Sequence, residues 1–169
     1  MLMEFDDQEL DLLEDLFEYL DIDGPDAQQM FQLYGIFVRD MVTSPIFVGK
    51  KQVGFNTNKS RHPLFKGKPE GFEHICTRES KHSNKRNFDP ERTNKIHWIK
   101  PIILNEKDKR IKYFERAHFN GQNQHYFWFD DKKYVVIIRE ITTSLQLVTA
   151  FKVDKLEEGR FKKWYGEYK

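Results

Sequence analysis

The chain has 169 residues, 38% of them hydrophobic and 33% charged, which suits one folded domain with a core of its own. Its 15 Phe, 7 Tyr and 3 Trp exclude a disordered polar chain, and the single cysteine, Cys76, excludes an intrachain disulfide framework. The net charge of +1 hides a split: residues 1–40 carry 12 acids against Arg39 alone (net −11), and the rest carries 27 bases against 15 acids (net +12).

Such asymmetry points to a basic body that meets a polyanion and an acidic attachment, although solvated charged faces produce the same counts. The opening MLMEFDDQEL is acidic where a signal peptide is basic, and no run approaches the roughly 18 apolar residues of a membrane span. A cytosolic protein without membrane contact is therefore expected. The sequon Asn58-Lys59-Ser60 then reads as a chance match.

In chain order, Leu10, Leu12, Leu13, Leu16, Phe17 and Leu20 fall on one stripe of a helix with acids opposite. Gly24-Pro25 ends that helix and starts a second one reaching about Met41, with Met30, Phe31, Leu33, Tyr34, Phe37 and Val38 inward. Residues 1–42 thus predict an acidic helical hairpin, and 43–169 a basic α+β domain. Ile46 to Val48 and Gln52 to Phe55 are short strand candidates, residues 56–71 a basic loop, and Phe72 to Cys76 a strand.

Thr77 to Asn87 (TRESKHSNKRN) is polar, basic and exposed by composition. Asp89-Pro90 is a helix start, with Asp as the cap and Pro at the first helical position; Pro101 ends or kinks that helix. Strands follow at Ile111 to Phe119, His125 to Phe129, Tyr134 to Ile141 and Leu145 to Val153, with turns at Gly121, Asp130 to Lys133 and Thr142 to Ser144. A last helix or arm carries Phe161, Trp164 and Tyr165. The predicted architecture is α+β: a helical hairpin, then a curved antiparallel sheet of about four strands packed on a helix.

Several chemistries are unsupported. There is no GxxxxGK[ST], no GxGxxG after a strand and no GxSxG. One Cys without HxxxH or a paired-carboxylate pattern gives no zinc signature, and no cofactor is expected. What remains is the cluster His74, Thr77, Arg78, Lys81, His82, Lys85 and Arg86. Metal-free RNA cleavage needs a base near neutral pKa for the 2′-OH, an acid for the leaving 5′-oxygen, and fixed cations for the phosphorane. Arg116, His118, Arg139 and Thr149 lie in the strands behind and are candidate partners.

Each has a plainer reading. His74 also fits a satisfied half-buried histidine, His82 an exposed loop residue, Arg139 an ion-paired strand end, and Thr149 a good strand former. His97 and His125 read as structural, and Phe127, Trp128 and Phe129 as core rather than a base-stacking platform.

The succession HICTRE, SKHSNKR, IHWIKPIILN, KYFERAHF, YVVIIRE and LVTAF, over roughly residues 70–153, resembles the barnase–EndoU–colicin–RelE group of ribonucleases, especially its phage-associated and toxin branches. The resemblance implies one or two helices on a four-stranded antiparallel sheet and a metal-independent, toxin-like endoribonuclease. By position it makes His74, Arg78, Lys81 and His82 the first catalytic cluster, Arg116 the phosphate-facing arginine and Thr149 the hydroxyl of the last strand. Lys85, Arg86 and Arg139 are then RNA-binding candidates, with tRNA or mRNA as substrate. The acidic segment lies outside the resemblance and would mask the basic surface or dock an antitoxin or other inhibitor. The competing expectation is a non-catalytic RNA- or protein-binding module on the same fold.

Overall fold

The computed structural model describes residues 10–118 and 120–169; the expectations for residues 1–9, and for Phe119 as the end of a strand, lie outside the described residues. The first helix of the expected hairpin is not formed. A single 3-10 turn, Leu10–Leu12, leads into chain without helix up to residue 26. Leu10, Leu13 and Leu20 are buried all the same, but their backbone is held by another element. The Leu16 amide donates to the Asn94 carbonyl (3.0 Å) and the Phe17 amide to Asn94 Oδ1 (2.7 Å). Asn94 Nδ2 donates to the Phe17 carbonyl (2.9 Å), and Trp98 Nε1 to the Glu14 carbonyl (3.0 Å). A helix would instead stack Asp11, Glu14, Asp15 and Glu18 at spacings of three and four, where like charges repel.

Helix α1 (Ala27–Val38) forms as expected, closed at its start by a reciprocal cap between Asp26 and Gln29 and prolonged by a π-helical turn, Arg39–Thr43. Two short strands follow, β1 (Phe47–Val48) and β2 (Lys51–Gly54).

Phe72 to Cys76 is helix rather than strand: α2 spans Glu70–Cys76. Phe72, Ile75 and Cys76, at helical spacing, are the buried apolar residues, and a run of five could not reveal that period. Tertiary contacts seat the helix start, the Glu70 amide donating to the Asn58 carbonyl (2.7 Å) and Asn56 Nδ2 to Glu70 Oε1 (2.9 Å). Gly71 is required here, because a Cβ would stand 2.8 Å from Cβ of Phe55.

Strands β3 (Thr77–Glu79) and β4 (Arg86–Phe88) make a small hairpin. Asp89 caps α3 (Pro90–Thr93), with Pro90 at its first turn. The expected continuous helix is broken into α3, a 3-10 turn at Ile96–Trp98, and α4 (Ile99–Leu104). Pro101 sits in the first turn of α4, where its missing N–H has no intrahelical partner to lose.

The last third is a meander of β5 (Ile111–Ala117), β6 (Asn123–Phe129), β7 (Tyr134–Ile141) and β8 (Ser144–Lys152), each antiparallel to the next. This is the expected four-stranded part. The whole sheet is larger and mixed, a curled six-stranded sheet of order β1-β2-β8-β7-β6-β5 in which β2 joins β8 in parallel at Val53 opposite Leu145.

Strand alternation divides the sheet into two packed faces. Phe127, Phe129, Tyr134, Val136, Ile138, Leu147 and Ala150 meet Leu33, Phe37, Phe72, Ile75 and Ile102 in the main core, which also takes Leu10, Leu13 and Leu20. The acidic segment and the basic body therefore share one core. Phe114, Tyr126, Trp128, Val135 and Ile137 face the other way and are covered by α5 (Lys155–Tyr168) through Phe161, Trp164 and Tyr165. The Phe127-Trp128-Phe129 triplet is core on both sides. Among the described residues, no helix is long and apolar enough to cross a membrane.

Candidate functional site

The basic cluster is built where α2 ends. An ending helix leaves carbonyls without intrahelical donors, and here side chains from the following segment supply them. Arg86 on β4 donates from Nε to Thr77 Oγ1 (2.8 Å) and from one terminal nitrogen to the carbonyls of Thr77 (3.0 Å) and His74 (3.4 Å). Arg92 adds a bond to the Thr77 carbonyl (3.1 Å), and Thr93 Oγ1 one to the Cys76 carbonyl (3.1 Å). Arg86 also lies 3.8 Å from Glu73, a buried carboxylate that accepts from Ser60 Oγ (2.8 Å). Arg86 and Arg92 thus lock the junction between α2 and the hairpin. The enclosed Cys76 thiol is pushed up to about 12 by burial, which removes it as a nucleophile.

His74 stands on the last turn of α2, half-buried. Burial, reinforced by the Arg86 guanidinium, holds it below the usual histidine range, so its imidazole is neutral at pH 7. From there the chain runs into the hairpin, whose exposed surface carries Arg78, Lys81, His82 and Lys85. Arg78 reaches Asp89 only at 3.9 Å and stays largely in solvent. Beside the hairpin lies an open depression of about 700 Å³ lined by Asn58, Lys59, Ser60, Arg61, Lys66, Gly67 and Glu70. His62 joins the two regions, its Nε2 lying 2.9 Å from the Arg86 carbonyl.

Of the predicted residues, Arg78, Lys81, His82 and Lys85 are exposed on the hairpin, His74 is half-buried on the last turn of α2, and Arg86 is turned into the end of that helix. Arg116 and Arg139 are elsewhere. They face the α5 side of the sheet, whereas α2 packs on the opposite side. There the register sets Arg116, Gln124, Arg139 and Gln146 in one row across four strands. Arg116 stacks over Trp164 (4.3 Å) and pairs with Glu167 (3.3 Å), and Arg139 Nε donates to Gln124 Oε1 (2.8 Å). Thr149 lies at the irregularity of β8, opposite Ile137, and is partly exposed. Among the described residues, none of these three makes a hydrogen bond or ion pair with the hairpin cluster.

Three acids of the first segment form ion pairs away from the hairpin. Asp11 pairs with Arg110, Asp15 with Lys95 (2.8 Å) and Asp40 with Arg39 (2.8 Å).

Sequence reading passed over a second constellation. His125, read as structural, is buried on β6 between Tyr113 and Glu115 of β5 and Glu140 of β7, with Asn123 beside it. Its Nε2 is 2.7 Å from Glu140 Oε2 and its Nδ1 2.5 Å from the Tyr113 hydroxyl. Tyr113 also contacts Glu115 Oε2 (2.8 Å), and burial together with Glu115 raises its phenol above the ordinary range. Glu140 is held low by its hydrogen bonds from Asn123 and His125. Two carboxylates, Glu115 and Glu140, are thus brought to one histidine across three strands. The signal in the sequence was the alternation Tyr113/Glu115 and Asn123/His125, polar positions on otherwise apolar strand faces, which needed the register to be joined to Glu140.

Comparison with protein-family models, with curated proteins and with solved structures finds no match to this chain.

Proposed function

We propose that the chain is a toxin-like endoribonuclease that binds RNA on the surface of the β3–β4 hairpin and cleaves it without a metal ion. One observation carries the reading: a neutral, half-buried imidazole, His74, stands at the root of an exposed array of Arg78, Lys81, His82 and Lys85. A neutral imidazole can accept a proton from a ribose 2′-OH. The 2′-oxygen then attacks phosphorus, the P–O5′ bond breaks, and an acid returns a proton to the 5′-oxygen, leaving a 2′,3′-cyclic phosphate. His82 is the acid in this scheme, and Arg78 and Lys81 hold the added negative charge. The acidic segment, 1–42, is the docking face for an inhibitor protein.

The test is purified full chain incubated with total RNA in excess chelator, beside His74→Ala and His82→Ala. Discrete fragments ending in cyclic phosphate, from wild type only, are expected. Cleavage that survives His74→Ala would overturn the assignment of the base, and activity lost in chelator would overturn the metal-free mechanism.

A second reading, RNA binding without cleavage, has an observation in its favour. The best-placed guanidinium, Arg86, is consumed by backbone carbonyls and Glu73, and Arg116 and Arg139 lie across the sheet from α2. It predicts salt-sensitive binding, intact RNA, and no effect of His74→Ala.

A further inference from the structure

The loop between β2 and α2 carries cations that the fold does not use. Lys59, Arg61 and Lys66 are exposed around the depression of about 700 Å³ beside the hairpin, and among the described residues none of them makes an ion pair. Cations gathered around one concavity repel each other, and an anion placed among them relieves that repulsion.

The loop that holds them is closed upon itself. The Ser60 amide donates to the Lys68 carbonyl (2.7 Å), the Gly67 amide to the Ser60 carbonyl (3.2 Å) and the Glu70 amide to the Asn58 carbonyl (2.7 Å). Phe65 is fully buried beneath the loop, and Ser60 Oγ donates to the buried Glu73 carboxylate (2.8 Å). The backbone under the three cations is thus fixed in advance, which lowers the ordering cost of binding.

Size and lining narrow the ligand. A volume within the range of small-molecule sites, about 300–1,000 Å³, takes a nucleotide rather than a single ion. The lining also includes Asn58 and the carboxylate of Glu70. A carboxylate disfavours a bare cluster of phosphates and requires a donor, which the N–H edge of an unpaired base supplies. Glu70 Oε1 is already held by Asn56 Nδ2 (2.9 Å), so the group is oriented. Glu70 and His74 are four residues apart on α2, hence on one face and about 6 Å apart along its axis. His62 Nε2 lies 2.9 Å from the carbonyl of Arg86 on β4. The depression therefore adjoins both His74 and the hairpin.

We infer that the depression is a nucleotide subsite for single-stranded RNA. Lys59, Arg61 and Lys66 hold the two phosphates that flank one nucleotide, and Glu70 accepts from an N–H of its base. This rests on the RNA-binding part of the reading above and not on cleavage.

The test is fluorescence anisotropy of the full chain over a series of salt concentrations. The probe is a labelled single strand of about 12 nucleotides, mixed in sequence, with 2′-fluoro sugars that remove the attacking hydroxyl. Lys59→Ala/Arg61→Ala/Lys66→Ala is expected to weaken binding and to lower the slope of log affinity against log salt by about 1.4, the share of two phosphates. Lys155→Ala/Lys162→Ala/Lys163→Ala removes the same charge from exposed positions of α5 and is expected to leave the slope unchanged. Glu70→Gln, which keeps an oxygen for Asn56, is expected to weaken binding about tenfold. An unchanged slope in the first triple variant, an equal loss in the α5 variant, or no binding by wild type would overturn the subsite. Tighter binding by Glu70→Gln would overturn its contact with the base. Ordinary RNA in chelator decides the ribonuclease reading separately: intact RNA with the expected slope loss removes the nuclease and keeps the subsite, and cleavage with an unchanged slope does the reverse.

Discussion

Arg86 separates the structural role of the basic hairpin from its RNA-binding role. The residue makes three hydrogen bonds at the end of α2 and lies 3.8 Å from Glu73, whose side chain is 9% exposed against 24% for Arg86. Arg86→Ala leaves that carboxylate with Ser60 as its hydrogen-bond partner and the carbonyls of His74 and Thr77 short of donors. Removing one partner of a buried pair costs about 3–5 kcal/mol. Because Arg86 keeps some contact with water, the low end applies, and about 3 kcal/mol is expected. That is a large share of the roughly 5–15 kcal/mol that holds a domain folded.

Glu73→Gln in the Arg86→Ala background removes the stranded charge and should recover about 1–2 kcal/mol. Urea unfolding followed by tryptophan fluorescence measures both changes, the midpoint of Arg86→Ala falling by more than about 1 M. An Arg86→Ala protein as stable as wild type but unable to bind RNA would refute the reasoning and return Arg86 to the phosphate-binding surface.

Stability should fall on the acid side. His74 and His97 are both held below the ordinary histidine range, chiefly by burial, so around and below pH 6.5 the unfolded chain binds more protons than the folded one. Their contribution is complete above the unfolded pKa and is lost as pH drops through the folded values. Comparing urea midpoints at pH 7.5 and 5.5, His97→Gln should lose less than wild type, and equal losses would count against the burial account. Arg78→Ala, Lys81→Ala and Lys85→Ala, all exposed, should leave stability unchanged, and each should lower the slope of log affinity for single-stranded RNA against log salt by about 0.7. An unchanged slope in the triple variant would place the RNA elsewhere. Phe161 packs against Phe114, Tyr126 and Trp128 at centroid distances of 5.7–5.9 Å, so Phe161→Ala should cost about 3–5 kcal/mol and weaken the near-ultraviolet circular dichroism. An unchanged melting temperature would show that α5 does not anchor that face.

Elements whose signal is local were legible in the chain. The Asp89 cap, the four-strand meander of the last third and the final segment carrying Phe161, Trp164 and Tyr165 each depend on neighbours in sequence, and each is found, the last as the helix α5. The basic surface of Arg78, Lys81, His82 and Lys85 was legible for the same reason, since a run with no apolar residue has nothing to bury. The Leu10 to Leu20 stripe was misleading. Its leucines do reach the core, but Asn94 and Trp98, some eighty residues away, hold the backbone in a non-helical path. The Phe72 to Cys76 run was too short for its period to show.

Composition and charge by themselves determined the aromatic core and the split between an acidic first segment and a basic remainder, and the order of periodic segments determined the α+β class. Tertiary structure alone decided that both segments share one core, that β2 adds in parallel to β8, and that Arg116 and Arg139 lie on the far side of the sheet from His74. It also brought Glu115, His125 and Glu140 together from three strands. The reason is physical: a strand fixes which of its own residues share a face, but only the hydrogen-bond register between strands fixes which residues of different strands become neighbours.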